Sequence, residues 1–525
     1  MNKGSGVNRV QMEMAKKKRV KARELLLDTL SRLDDALVLQ MMWAMNALQS
    51  DDPADVRPYL KYPKEAAIAQ LGDKHFAIKW EIENLLLLML STSKKQSGFL
   101  RPPDYRSYDT VCALLNRLKT AERAEEKVIL GPHNIIYELP RMAHKQFLWQ
   151  RLFFEPSRLY RYFYVYGQGM CAKYFEAQYG LSMNEFAMAC LVFYSLASKQ
   201  AWQKLPRIEP PLKLRPEVIP LAMNLISMEL PALREDTKKR IDKHAGHDKA
   251  KIAYLPSSLR QYPIITSARH NNQFVAPLPQ LIIFRATSGL YYDLAGGPRT
   301  LLEEANSRFE AFGKKLIEAR CPRFKVLRDQ EYGTKAKRYR TPDLLLKDGE
   351  TVEAVFECKA TKLTFSAQYG EDQYAEAPKA FNQIAKGMSQ LWKFFARVRR
   401  GIYALEKVAP DAHGIILTME NWFQIDRLQL PALRAEAEAL CADEPDMLPQ
   451  DKRDVIFCSI EALDDVLAVS NEDEVLETFA KSRTPEYFGW SVSNVRNPHD
   501  KEDLIRKDYP FNIDEVLPLW SELPD

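Results

Sequence analysis

Twenty residues in the second half of the chain, Arg340-Thr-Pro-Asp-Leu-Leu-Leu-Lys-Asp-Gly-Glu-Thr-Val-Glu-Ala-Val-Phe-Glu-Cys-Lys359, leave the backbone little choice. Residues 344–346 are an apolar run, Asp348-Gly349 is a strong turn signal, and the residues from Val352 onward alternate, so the stretch reads as a β-hairpin. Side chains alternate along a strand. Val352, Ala354, Phe356 and Cys358 are therefore expected on one face, and Glu353, Val355, Glu357 and Lys359 on the other. The hairpin brings Asp343, at the mouth of its first strand, toward Glu357 and Lys359 at the end of its second. Two carboxylates and an amine on one face form a metal site with a cationic neighbour.

The flanking pattern is that of an α/β domain over residues 300–480. Residues 301–319 form an amphipathic helix with Leu302, Ala305, Phe309, Phe312 and Leu316 on one face and Glu310 beside it. Basic residues follow at Lys325 and Arg328, then at Lys335, Lys337, Arg338 and Arg340 just before the hairpin. A polar loop over 364–376 leads to a long helix from about Pro378. Its apolar face carries Phe381, Ile384, Met388, Leu391, Trp392, Phe395 and Val398. Another face carries Lys379, Gln383, Lys386, Gln390, Lys393, Arg397 and Arg400, and no acidic residue occurs over 377–405. Solvated helices usually mix signs in i,i+4 pairs, so a stripe of one sign with two glutamines fits a polyanion better than plain solvent. Strands at 413–418 and 455–460 and helices at 430–441 and from 460 complete the alternation.

The preceding chain reads differently. Residues 1–235 are mostly helical, suited to target recognition or oligomerisation. Residues 236–299 make a charged linker and a small β/α connector, with a short hairpin around Asn271-Asn272, and 481–525 are an extension packed on the body. The basic cluster Lys16-Lys-Lys-Arg19, Lys21 and Arg23 reads first as a solvated helix face, with phosphate contact the rarer meaning. The aromatics Phe153, Phe154, Tyr160, Tyr162, Phe163, Tyr164, Tyr166, Tyr174 and Phe175, interleaved with Arg158 and Arg161, read first as core rather than as stacking platforms for bases. Ser182-Met-Asn-Glu185 is a capping box opening a helix. His244 and His247 lie in a charged segment and read as solvent-exposed.

A chain of 525 residues exceeds one ordinary core, so the expected fold is multidomain: a helical N-terminal region, then an α/β domain with a mixed sheet. The net charge of +5 is too small to argue for nucleic acid by itself. Seven scattered cysteines without a C-x-x-C pair read as reduced thiols. No apolar run approaches the roughly 20 residues of a bilayer span, and no apolar core follows the N-terminal basic residues. The expectation is a cytoplasmic protein with no membrane partner. No G-x-x-x-x-G-K-[ST] is present, so an ATP-driven step would come from a partner.

Asp343, Glu357 and Lys359 suit phosphodiester hydrolysis. Mg²⁺ is held by one or two carboxylates together with water and phosphate oxygens, and a lysine on the same face can orient water or offset developing charge. Pro342-Asp343 and Glu357-Cys358-Lys359 resemble the two motifs of the PD-(D/E)XK nuclease superfamily, whose restriction-endonuclease-like fold orders a helix, a mixed sheet, a helix and further strands. The resemblance covers about a third of the chain. It implies a DNA endonuclease or exonuclease using Mg²⁺ or Mn²⁺, with Asp343 and Glu357 as ligands and Glu310, in Arg308-Phe-Glu310, as the helix glutamate several members add. It implies that Lys359 positions or activates water. It also implies an orienting role for Gln390, with Gln383 competing and Phe394 where some members place a tyrosine. The basic residues Lys335, Lys337, Arg338, Arg340, Lys379, Gln383, Lys386, Lys393, Arg397 and Arg400 would then track the backbone. A nuclease domain joined to a large helical region resembles bacterial anti-phage defence effectors. A homo-oligomer or partner protein would act through the helical region. The alternatives are a nuclease-like fold that binds or assembles without turnover, and an RNA-directed nuclease.

Overall fold

A computed structural model describes the chain outside residues 1–3, 96–100, 130–141, 143, 151–154, 208–212, 245–256, 269–272, 361, 364–376, 422–428, 499–502 and 523–525. Helices dominate the first half. The apolar periodicity that runs from Leu25 to Leu48 is split into helices Gly4–Arg32 and Asp35–Leu48, because Asp34 turns the chain and its carboxylate accepts the Leu37 N–H at 3.0 Å. Helix Met183–Lys199 opens on the Ser182/Glu185 capping box.

The aromatic stretch is core. Tyr160, Tyr162, Phe163, Tyr166 and Phe175 are buried, and Tyr164 and Tyr174 pack half-buried against them. All but Tyr174 and Phe175 belong to helix α1 (Pro156–Tyr166). Arg158 and Arg161 are buried with them, Arg158 facing Glu461 at 3.6 Å, so this face offers no stacking platform. Phe153, Phe154 and His247 lie outside the described residues, as does the side chain of His244. Lys16, Lys17, Lys18 and Lys21 sit on an exposed helix face, and Arg23 pairs with Glu125 at 3.5 Å. The connector supplies two strands of a small sheet: β1 (Ser227–Glu229), from the end of the helical region, runs parallel to β2 (Ile264–Ser267), and β2 runs antiparallel to β3 (Gln273–Val275). The Asn271-Asn272 turn is outside the described residues.

The second half is built on a mixed sheet. Helix α2 (Arg299–Arg320) leads into β4 (Phe324–Arg328). A separate two-stranded ribbon follows, β5 (Glu331–Gly333) against β6 (Arg338–Arg340). Then come β7 (Leu344–Asp348), β8 (Thr351–Lys359), helix α3 (Pro378–Arg399), β9 (Lys407–Thr418), helix α4 (Leu430–Ala439), β10 (Val455–Ser459), and helices α5 (Ile460–Val469) and α6 (Glu472–Ser482). The strand order is β10-β9-β8-β7-β4. Pairing is antiparallel from β4 to β8 and parallel from β8 to β10. Parallel neighbours need a crossover, and α3 and α4 supply the two crossovers.

Each face of the sheet is covered, which fits its largely apolar strands. On one face Leu345, Val355 and Ile416 meet Phe381, Ile384, Met388, Leu391 and Trp392 of α3, with Leu430 and Leu433 of α4. On the other, Leu344, Leu346, Phe356 and Leu417 meet Phe309, Phe312 and Leu316 of α2, with Leu463 and Phe479 of α5 and α6. This second cluster is continuous with the buried residues of the N-terminal helices, so one apolar core joins helical and α/β parts.

Two details of the hairpin depart from the sequence reading. Asp348 still pairs with Thr351, so Gly349 and Glu350 make the loop, with Gly349 at a φ of 57°. That left-handed conformation suits glycine at the first loop position. Val352 packs with Val355, not with Ala354 and Phe356. The register of β8 shifts between Val352 and Ala354, and a bulge of this kind breaks the alternation.

Beyond α6 the chain returns as a strap. The Lys507 ammonium donates to the carbonyls of Arg320 (3.1 Å), Leu467 (3.3 Å) and Ser470 (2.7 Å), near the C-terminal ends of α2 and α5. Such carbonyls lack partners within the helix. Farther on, the Glu515 carboxylate accepts from the Tyr160 hydroxyl and the Lys315 ammonium, both at 2.7 Å, tying α1 to α2.

Candidate active site

The hairpin register carries Asp343 to the second strand. Leu344 pairs with Phe356, so Asp343 lies just outside the ladder, and its Oδ2 accepts the Cys358 N–H at 2.6 Å. That bond fixes the carboxylate between Glu357 and Lys359. Lys359 Nζ donates to Glu357 Oε1 at 2.7 Å. Glu357 is almost fully buried at 1% exposure, and its Oε2 has no hydrogen-bond partner. A buried carboxylate oxygen left unmatched costs stability and serves nothing in the fold. A divalent cation would match it.

Burial and crowding perturb every ionisable member of this cluster. Burial pushes the Glu357 carboxyl up to about 8, against the pull of Lys359. Burial, reinforced by the Asp343 charge, lifts Glu310 to about 7 despite Arg328. Burial also raises Asp343, while Lys359 pulls it down. For Lys359 burial alone would lower the ammonium, but the charges of Glu357 and Asp343 outweigh it and hold it raised. The positive charge therefore sits on Lys359 and the crowded carboxyls compete for protons near neutrality. An ammonium held this firmly is suited to orienting an oxygen or offsetting negative charge, and is a poor general base.

Glu310 comes from α2 and pairs with Arg328 Nη2 at 2.5 Å. Asp329, which sequence reasoning did not single out, adds a further carboxylate charge felt by both Glu310 and Asp343. Among the described residues no three His, Cys, Asp or Glu side chains converge into a ready-made metal cage. The two hairpin carboxylates, one with an unmatched buried oxygen, still fit Mg²⁺, which binds through one or two carboxylates and fills the rest of its shell with water and phosphate oxygens.

Helix α3 closes the site from above. It comes close at Gly387, where a Cβ would stand 3.2 Å from Glu357 Cγ and 3.3 Å from Lys359 Cε. Gln383 and Gln390 are the i−4 and i+3 neighbours of Gly387, so both are on the helix side nearest the pair. Both are exposed, and among the described residues neither hydrogen-bonds to Asp343, Glu357 or Lys359. Phe394 is buried against Tyr332 and Tyr403, packing with rings rather than reaching the site.

The basic stripe divides into two halves. Lys379 and Lys386 are exposed, with no ion pair among the described residues. Lys393 pairs with Asp443 at 2.7 Å, while Arg397 and Arg400 both bind the buried carboxylate of Glu444. The Arg397 guanidinium also lies 4.0 Å over the Tyr339 ring. The acidic partners that α3 lacks in its own sequence arrive from the turn after α4, roughly 45 residues downstream, which i,i+4 reasoning does not see. On the β5–β6 ribbon Lys335 and Lys337 are exposed, and Arg338 and Arg340 make exposed pairs with Glu331 and Asp329. Exposed pairs of this kind are weak and exchange readily for phosphate.

Among the described residues, no single helix is long and apolar enough to cross a membrane. No known protein family, no curated protein and no solved structure matches this chain.

Proposed function

We propose that the chain is a metal-dependent nuclease that hydrolyses phosphodiester bonds of DNA. One observation carries this reading: Asp343, Glu357 and Lys359 converge at one end of a hairpin, with Glu357 buried and its Oε2 unmatched. The order helix, three antiparallel strands, crossover helix, parallel strand supports a likeness to the PD-(D/E)XK fold. The likeness in fold is weaker support than the site itself.

Asp343 and Glu357 would hold Mg²⁺ or Mn²⁺, with Glu310 joining them. A bound cation there supplies charge neutralisation and a water of lowered pKa. Asp343 is kept in position by the Cys358 N–H, which leaves its second oxygen for the ligand role. Lys359 presents its ammonium beside Glu357 and meets the negative charge that grows on the phosphate. Lys379, Lys386, Lys335 and Lys337 carry the unpaired positive charge that a phosphate backbone would draw on. Gln383 and Gln390 flank the approach to Glu357. The helical region would supply target choice, oligomerisation or a partner contact, in the manner of anti-phage effectors.

The test incubates the protein with supercoiled DNA, linear DNA and RNA, with and without Mg²⁺, beside Lys359→Ala and Asp343→Ala. Cleavage of DNA that needs the metal and is lost in both variants is the expected result. Cleavage that ignores the metal, or survives both substitutions, overturns the reading. Binding without cleavage under every condition supports a binding or assembly role, and preferential cleavage of RNA redirects the substrate.

A further inference from the structure

Arg328 ends β4 opposite Leu344, the first residue of β7, so its side chain sits at the mouth of the site. It touches Glu310 through one nitrogen, Nη2, which also reaches the Ser307 hydroxyl at 3.3 Å. Its Nε and Nη1 have no protein partner among the described residues, and its side chain is 38% exposed against 18% for Glu310.

The arginines that hold this fold together behave otherwise. Arg260 grips Glu83, Arg285 grips Asp293, and Arg399 grips Asp451, each with two nitrogens. Two-point pairs are the strong and geometrically fixed ones, and a single-point, half-exposed pair is the readily exchanged kind. A phosphodiester offers a guanidinium the two-point partner that Glu310 does not.

We propose that Arg328 is a phosphate-binding residue that masks Glu310 in the free protein. Glu310 joins the other two carboxylates only when a nucleic-acid phosphate draws the guanidinium away. The inference rests on the metal reading of the preceding section. It makes the complete ligand set depend on substrate, so metal and nucleic acid bind cooperatively. Guanidinium and cation compete for the same carboxylate, and removing the guanidinium frees it.

The test titrates Mn²⁺ into the full chain without nucleic acid, followed by paramagnetic resonance, for wild type, Arg328→Gln, Arg328→Lys and Asp343→Asn. Melting curves establish that each variant is folded. Arg328→Gln is expected to bind Mn²⁺ up to about fivefold more tightly than wild type, the scale of one charge pair of this exposure. It should bind a phosphorothioate DNA duplex about tenfold more weakly in the presence of Mn²⁺, with Arg328→Lys between the two. Unchanged or weaker Mn²⁺ binding by folded Arg328→Gln overturns the masking role while leaving the metal reading intact. Mn²⁺ binding that is insensitive to Asp343→Asn overturns the metal reading, and the masking role with it.

Discussion

Gly387→Ala sets two effects against each other at one methyl group. In the interior of a 22-residue helix, alanine is favoured over glycine by about 0.5–1 kcal/mol because it restricts the unfolded chain more. The new Cβ would meet Glu357 Cγ at 3.2 Å, Lys359 Cε at 3.3 Å and Ile416 Cδ1 at 3.4 Å. Inserting a methyl group into packed surroundings costs about 1–3 kcal/mol when nothing yields. Here two of the three neighbours belong to side chains that can give by a few tenths of an ångström, so the cost falls at the low end. The two terms then nearly cancel, and stability should stay within about 1 kcal/mol of wild type. Function should not escape, because the yielding atoms belong to the proposed catalytic pair. A displacement of 1 Å can cost on the order of a hundredfold in rate. A shift of a few tenths should cost roughly tenfold. Melting followed by circular dichroism, together with Mg²⁺-dependent cleavage of DNA, checks both halves. A folded Gly387→Ala protein with wild-type cleavage would refute the assignment of Glu357 and Lys359 to the reaction. Loss of more than about 3 kcal/mol would refute the claim that the pair can yield.

The remaining predictions concern charge. Lys386→Ala should leave melting unchanged, weaken DNA binding and reduce the slope of log affinity against log salt by about one. Arg397→Ala should do the reverse, lowering stability by about 1–3 kcal/mol because it leaves Glu444 with Arg400 alone and strips the cation from Tyr339. Matching salt slopes for the two would undo the division of the stripe. Burial, helped by the charges of Arg483 and Arg453, lowers His413 from 6.5 to about 4, so the fold keeps this ring neutral. The unfolded chain takes up the proton first, so this stability is present above pH 6.5 and lost as pH falls toward 4. It amounts to about 3 kcal/mol at most. His413→Gln should flatten the stability profile across that window, and an unaltered profile would exclude His413 as its source. Lys507→Met should destabilise by about 2 kcal/mol, since three carbonyls lose one donor, which denaturant unfolding would detect.

What the residues disclosed was local. The turn-forming Gly349, the alternation from Ala354 to Lys359 and the apolar stripe of α3 are set by short-range sterics and periodicity, and each appears close to where the pattern puts it. The bulge at Val352 escaped because a register shift depends on the partner strands and not on the strand's own residues. The pairing of Lys393, Arg397 and Arg400 escaped because their acids are distant in sequence. The pairing of Arg328 with Glu310 escaped for the same reason, although a basic residue beside the acidic Asp329 at the end of β4, opposite Pro342-Asp343, was a usable signal. Gly387, a glycine in the middle of an otherwise strong amphipathic helix, was another: such a residue marks a close approach.

The Glu515 carboxylate has implications for how the chain is made. It closes contacts with Tyr160 and Lys315, partners 355 and 200 residues earlier. Helices near the start can form as they leave the ribosome, yet α1 and α2 cannot be fastened together by this residue until position 515 has emerged. Contacts so far apart in sequence slow folding. A chain stalled or clipped between α6 and the strap would carry the carboxylates of the candidate site on a scaffold missing its last fastening. The strap thus makes the emergence of residue 515 a condition for this fastening of the helix that holds Glu310.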